Sequence, residues 1–215
     1  MNRPMKVHQQ IVNQRPEEAL PRWVGRERGS GIVDDEGGGQ VHVSGKRRHV
    51  AGLIVGLLDT ASEMAVLSTF LLADSQIEDA LLRASKRGVR VYVMLASEAR
   101  LGREERSGEF DRRVVEEHKR MLERLAGHVL FRSAPHFHAK VVVVDPQSHA
   151  RGILLTANLT REALERNEEL AVELTPSEAK ETGKLLRWAM WETAEHEMLD
   201  PTDRFRAVTP LGSVS

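Results

Sequence analysis

The sequence predicts an α/β domain. Segments with helical apolar spacing alternate along the chain with short, β-branched apolar runs. Gly, Pro and Asp residues separate the two kinds. A chain of 215 residues can also bury a substantial single core.

Met1 to about Ser44 carries scattered charge, three prolines and the stretch DDEGGGQ, and reads as an irregular extension. Within it, Gln40–Val43 has the alternation of an edge strand. Residues 46–61 read as a helix and Ala65–Phe70 as a strand. Ser75-Gln-Ile-Glu78 fits a capping box with Ser75 as N-cap. Ile77, Ala80, Leu81 and Ala84 then share one helix face. Gly88 ends that helix, and Val89–Leu95 reads as a strand. Ser97–Glu109 is polar and Gly-containing, a charged loop able to overhang a site. Asp111–Leu125 reads as a charged helix with Val114, Val115, Met121, Leu122 and Leu125 apolar, and His128–Arg132 as a short strand. Strands are expected at 137–145, 152–157 and 169–174. Thr175-Pro-Ser-Glu178 starts a last helix, with Pro176 at its first position, running to about Met198. Its stripe of Leu185, Trp188, Trp191, Ala194 and Met198 is expected to pack on the sheet, with a dimer surface as the alternative. Residues 201–215 read as a tail.

Lys and Arg total 31 against 32 Asp and Glu, a formal net charge of −1, so no global basic field announces nucleic acid. The chain has no cysteine, which excludes disulfides and thiolate metal sites. The polar N-terminus lacks the apolar core of a signal peptide. No stretch reaches the ~20 apolar residues of a membrane helix. These features fit a cytoplasmic protein with no membrane span.

The chemistry concentrates in HFHAKVVVVD, where His138, Lys140 and Asp145 are spaced H-x-K-x-x-x-x-D. Strand side chains repeat every two residues, so His138 and Lys140 would share a face. Val141–Val144 reads as a buried strand, ended by Asp145 and Pro146. LTANLT follows with Thr156 and Asn158, then RNEELAVEL with Asn167 and Glu169. A nucleophilic imidazole, a fixed cation and polar anchors are what displacement at a phosphodiester requires. A satisfied core histidine beside a solvated lysine is the plain alternative for a lone His-x-Lys. A metal on His136 and His138 is another, but zinc takes three or four ligands and no Cys or close His cluster supplies them.

The set resembles the phospholipase D superfamily, the HKD phosphodiesterases, over roughly Lys46 to Met198. That family's pattern is HxKxxxxD, a segment close to GSxN, then a downstream Glu. His138, Lys140 and Asp145 match the first part, Thr156 and Asn158 the second. Leu155 stands where Gly is usual. Glu169, which precedes an apolar run, matches the acid, with Glu168 as the alternative. The resemblance implies a mixed β-sheet flanked by helices on both faces, in a single HKD domain over 46–200, between an extension at 1–45 and a tail at 201–215. It also implies a covalent phosphohistidine on His138 and a second histidine as acid/base. Lys140 and Asn158 would hold phosphate oxygens, Asp145 would be more structural, and Glu169 would orient His138. No metal or other cofactor is called for.

His42, His49 and His118 lack the H-x-K spacing, so only one motif is present. A single-motif member completes its site with a second copy, so a homodimer is expected. A nuclease acting on DNA or RNA is the first expectation, with Thr156, Arg132 and Arg161 as further substrate contacts. A phospholipid hydrolase or phosphatidyl transferase is the rival, and a non-catalytic nucleic-acid-binding or scaffold subunit the alternative of another class. The near-zero charge and the long extension motivate one more expectation, an ATPase or helicase partner in defence or DNA processing.

Overall fold

A computed structural model describes residues 40–45, 48–96, 101–102, 112–198 and 206–207. All of these lie in one unit, Val33–Ser215. Among the described residues the first element is β1 (Val41–Val43), the edge strand its alternation predicts. It then enters α1 (His49–Thr60), which buries Val50, Ala51, Ile54 and Leu58 at helical spacing. β2 (Met64–Ser68) is buried throughout and leads to the short β3 (Leu72–Ala73).

α2 (Ser75–Lys86) is capped by Asp74, whose carboxylate accepts from Gln76 N and Ile77 N. Ser75 is therefore not the N-cap. Glu78 cannot close a box, because its buried carboxylate is held by Arg124. β4 (Arg90–Ala96) follows. The loop expected at Ser97–Glu109 lies outside the described residues except for Leu101 and Gly102; Leu101 is buried with Phe70, Leu71 and Ala96.

α3 (Arg112–Leu125) buries Val115, Met121, Leu122, Leu125 and also His118. Leu72 N donates to His118 Nδ1 at 3.1 Å, and burial pushes this imidazole down to about 4. β5 (Leu130–Ala134), β6 (Val141–Val144) and β7 (Arg151–Leu155) come next. The sequence did not reveal β8 (Leu159–Thr160) or α4 (Arg161–Glu165), which are too short to show a period. β9 (Leu170–Leu174) leads into α5 (Pro176–Glu192), which carries the expected capping box of Thr175 and Glu178.

α5 stops at Glu192 rather than near Met198, because His196–Met198 form β10, paired with β5. β11 (Arg206–Ala207) pairs with β10, inside the stretch read as a tail. The stripe expected to pack on the sheet is corrected in part: Ala194 and Met198 pack against the cores, but the three residues within the helix do not. Leu185, Trp188 and Trp191 are 56%, 57% and 42% exposed, and the sheet side is Ala179, Gly183, Leu186, Ala189 and Met190. Small residues let the helix axis approach closely. A Cβ on Gly183 would lie 2.5 Å from Pro146 Cβ.

Among the described residues the strands build a nine-stranded sheet, order β1-β9-β7-β6-β2-β4-β5-β10-β11, with β3 and β8 as a separate parallel pair. β2, β4 and β5 run parallel; β6 and β7 run antiparallel to their neighbours. The architecture is thus the expected mixed sheet. Alternate residues serve two cores. Ala65, Leu67, Val93, Val142 and Val144 pack with α1, α2 and α3 on one face. Met64, Val66, Met94, Val141 and Val143 pack with α5 on the other. Among the described residues no helix is long and apolar enough to cross a membrane.

Candidate active site at one end of the sheet

Strand register collects the motif residues. Ser68 at the end of β2 lies opposite Val141 at the start of β6, and Val141 lies opposite Leu154 near the end of β7. Leu155 in turn faces Ala171 at the start of β9. His138 and Lys140 immediately precede β6, Thr156 and Asn158 follow β7, and Glu169 precedes β9. All five therefore sit at the same end, where β2, β4 and β5 also finish. Crevices outside carboxyl ends of strands are the usual ligand sites of α/β sheets.

The strand expected at 137–145 is shorter, since His138 and Lys140 lie in extended chain before β6. That chain is still pinned. Ser68 Oγ donates to Ala139 O at 2.8 Å, and Leu155 N donates to Lys140 O at 2.8 Å. His138 is exposed, and its ring meets Phe70 edge-on, centroids 5.2 Å apart. Lys140 is half-buried.

Thr156 is tied to Leu170 in both directions, each at 2.9 Å, and its hydroxyl donates to the Glu169 carboxylate. Ser44 holds the Glu169 backbone: Glu169 N donates to Ser44 Oγ (2.9 Å) and Ser44 N donates to Glu169 O (2.8 Å). Asn158 is half-buried, and no protein group donates to its buried Oδ1. A buried acceptor left in this way is costly and is what a site that takes up a ligand or a second surface presents. The next residue is fixed through Leu159 N, which donates to Thr69 Oγ1 at 3.0 Å.

Asp145 lies at the opposite end of β6, about 17 Å from Lys140 at ~3.3 Å per strand residue. Its carboxylate accepts from Ser62 N (2.9 Å), Ser62 Oγ (3.0 Å), Glu63 N (2.8 Å) and Met64 N (3.0 Å), which locks β6 to the start of β2. Burial alone would push this carboxyl up. Donors from Met64, Glu63 and Ser62 outweigh it and hold the pKa below the ordinary aspartate value.

The arginines divide. Arg132 is buried, bonded to Glu197 (2.6 Å) and Met190 O (2.9 Å) and stacked on Trp191. It is thus an internal brace between β5, α5 and β10 rather than a surface contact. Arg161 is exposed, three residues after Asn158, and pairs with Glu165 at 2.8 Å. Among the described residues no group of three or more His, Asp or Glu gathers to hold a metal. Sequence reasoning missed Ser44, Ser68, Thr69 and Phe70. They carry no motif, and only the fold brings them to the site.

A family model described as "Cardiolipin synthase, PLD-like domain" matches residues 54–189. The chain belongs to the phospholipase D superfamily. Among solved structures, this superfamily member is similar to the phospholipase D family member Nuc of Salmonella typhimurium, at 19% identity and TM-score 0.57, covering 78% of this chain and 98% of that one. It is similar to NucT from Helicobacter pylori at 16% and 0.54, covering 72% and 95%. It is also similar to the phosphatidylserine synthase of Haemophilus influenzae Rd KW20 at 13% and 0.60, covering 76% and 40%. At such identities the likeness is one of fold. A comparison with curated proteins finds no match.

Proposed function

We propose that this superfamily member is a metal-independent nuclease whose site is completed by a second copy of the chain. The observation that carries the reading is the gathering of His138, Lys140, Thr156, Asn158 and Glu169 at one sheet end, in a chain whose family is that of the HKD phosphodiesterases. His138 of one subunit attacks phosphorus and forms a P–N bond. The leaving oxygen takes a proton from His138 of the partner subunit. That imidazole then draws a proton from water, the water oxygen attacks phosphorus, and the P–N bond breaks. Lys140 and Asn158 hold the non-bridging oxygens as charge builds in the five-coordinate state. Glu169, fixed by Ser44 and Thr156, accepts the second ring N–H of His138 and selects its tautomer. Leu185, Trp188 and Trp191 supply exposed apolar area for subunit contact.

Nucleic acid is favoured because a single-motif chain of this size aligns with nearly the whole of Nuc, but with only 40% of the phosphatidylserine synthase. Phospholipid is the second reading, favoured by the description of the matched family model. A panel of single- and double-stranded DNA, RNA, a phospholipid vesicle and an aryl phosphodiester, assayed in EDTA, tests both. Nucleic acid should be cleaved by wild type and not by His138→Ala or His138→Gln. Turnover of vesicles alone favours the second reading. Retained activity in His138→Ala, or a strict need for added magnesium or zinc, overturns the mechanism.

A further inference from the structure

A cleft of about 420 Å³ opens beside the site, lined by Ala73, Ser75, Arg113, Thr160, Arg161 and Arg166, with Val114, Glu117 and Glu162. Two links place it near the candidate site. Thr160 lies two residues past Asn158, about 7 Å along an extended chain. Val114 in its wall packs on the Phe70 cluster, and the Phe70 ring touches His138. The volume is that of a small-ligand site. Three arginines and two carboxylates line it, and Arg161 also pairs with Glu165 at 2.8 Å, so a phosphate there would compete with that carboxylate. Of the two lining carboxylates, Glu117 is engaged by Arg120 (2.8 Å) and Arg124 (3.2 Å). Among the described residues that line the cleft none is aromatic, so it offers no stacking platform for bases. Guanidinium forks and the Ser75 and Thr160 hydroxyls suit phosphate and sugar oxygens.

We infer that this cleft holds the sugar–phosphate backbone of the nucleic-acid strand flanking the bond that is cut, through Arg113, Arg161 and Arg166. The inference rests on the nuclease reading. Contact is with the backbone alone, so cleavage is tolerant of the flanking sequence.

The full chain is assayed on a 20-nucleotide single strand and on bis(p-nitrophenyl) phosphate, which is too small to reach the cleft. Arg113→Ala/Arg166→Ala should lose at least tenfold more kcat/KM on the oligonucleotide than on the aryl diester, mostly through KM. Its log–log salt slope should flatten by up to about 1.4, at ~0.7 per phosphate contact on a single strand. Arg113→Lys/Arg166→Lys should recover most of that slope. Wild-type oligonucleotide kinetics in the Ala variant overturn the cleft assignment and leave the nuclease reading standing. Equal losses on both substrates, or no recovery with Lys, also overturn it. A wild type that hydrolyses the aryl diester or vesicles and no nucleic acid overturns both.

Discussion

Asp145→Ala distinguishes an anchor from a reacting group. The substitution strands four donors: Ser62 N, Ser62 Oγ, Glu63 N and Met64 N. Ser62 and Glu63 are exposed, so water can replace the carboxylate there, and about 1 kcal/mol or less is lost for each. Met64 N is buried and stays unpaired, at ~2 kcal/mol. The total is about 3–4 kcal/mol, or on the order of 10 °C in Tm for a chain of this size. Asp145 also has φ 47°, a conformation Asn tolerates better than Ala, so Asp145→Asn should lose less. The folded pKa lies below the unfolded value of about 3.9. The stabilisation is thus fully present above that value and is lost as pH falls through the folded pKa. The Tm gap between wild type and Asp145→Asn should accordingly close below about pH 4. Calorimetry gives Tm, and phosphodiesterase turnover at 25 °C per folded molecule gives the chemistry. Folded Asp145→Ala should keep activity within a few-fold, whereas Lys140→Ala should lose on the order of 100-fold. A variant with unchanged Tm and a hundredfold loss would refute the anchoring argument.

Co-assembling equal amounts of wild-type and His138→Ala subunits should leave about a quarter of the activity per dimer, since only wild-type pairs hold two imidazoles; retention of half would end the shared-site model. Phe70→Leu keeps buried volume but removes the edge contact with His138, so kcat should fall about tenfold with little change in KM; an unchanged kcat would mean the ring merely fills space. Gly183→Ala should lower the unfolding free energy read from urea titration by about 1–2 kcal/mol, because contact with Pro146 outweighs the helix gain. Gly56→Ala, with nothing within 4 Å in α1, should raise it by ~1 kcal/mol; equal signs for the two would contradict the packing of α5.

Long periodic segments and the polar motif were legible in the sequence because each carries a local signal. α1, α2, α3 and the four valines of β6 fall within a few residues of expectation. Cross-strand closure was not legible. Asp74 took the cap from Ser75 because Glu78 had a partner in Arg124, forty-six residues away. The end of α5 was misplaced because the apolar spacing ran on through Ala194 and Met198, while pairing with β5 drew His196–Met198 into the sheet. Gln40–Val43 read as an edge strand from its alternation, but only the fold shows that Ser44 behind it holds Glu169. The motif residues could be named from spacing, but Phe70 and Thr69 could not, because their roles exist only once β2 ends beside β6 and β8.

The far-end location of Asp145 recasts the motif as a measurement of length. The four residues between Lys140 and Asp145 are one crossing of the sheet along β6, from the end that holds His138 and Lys140 to the turn where β2 begins. Inserting one residue there would force a choice. Either the carboxylate leaves the Ser62–Met64 amides, or Lys140 is pushed past the rim, and the valines on the displaced side of the insertion exchange faces between the α5 core and the α1–α3 core. A lengthened spacer should therefore be tolerated far less than any single replacement among Val141–Val144, even one that leaves a methyl-sized void.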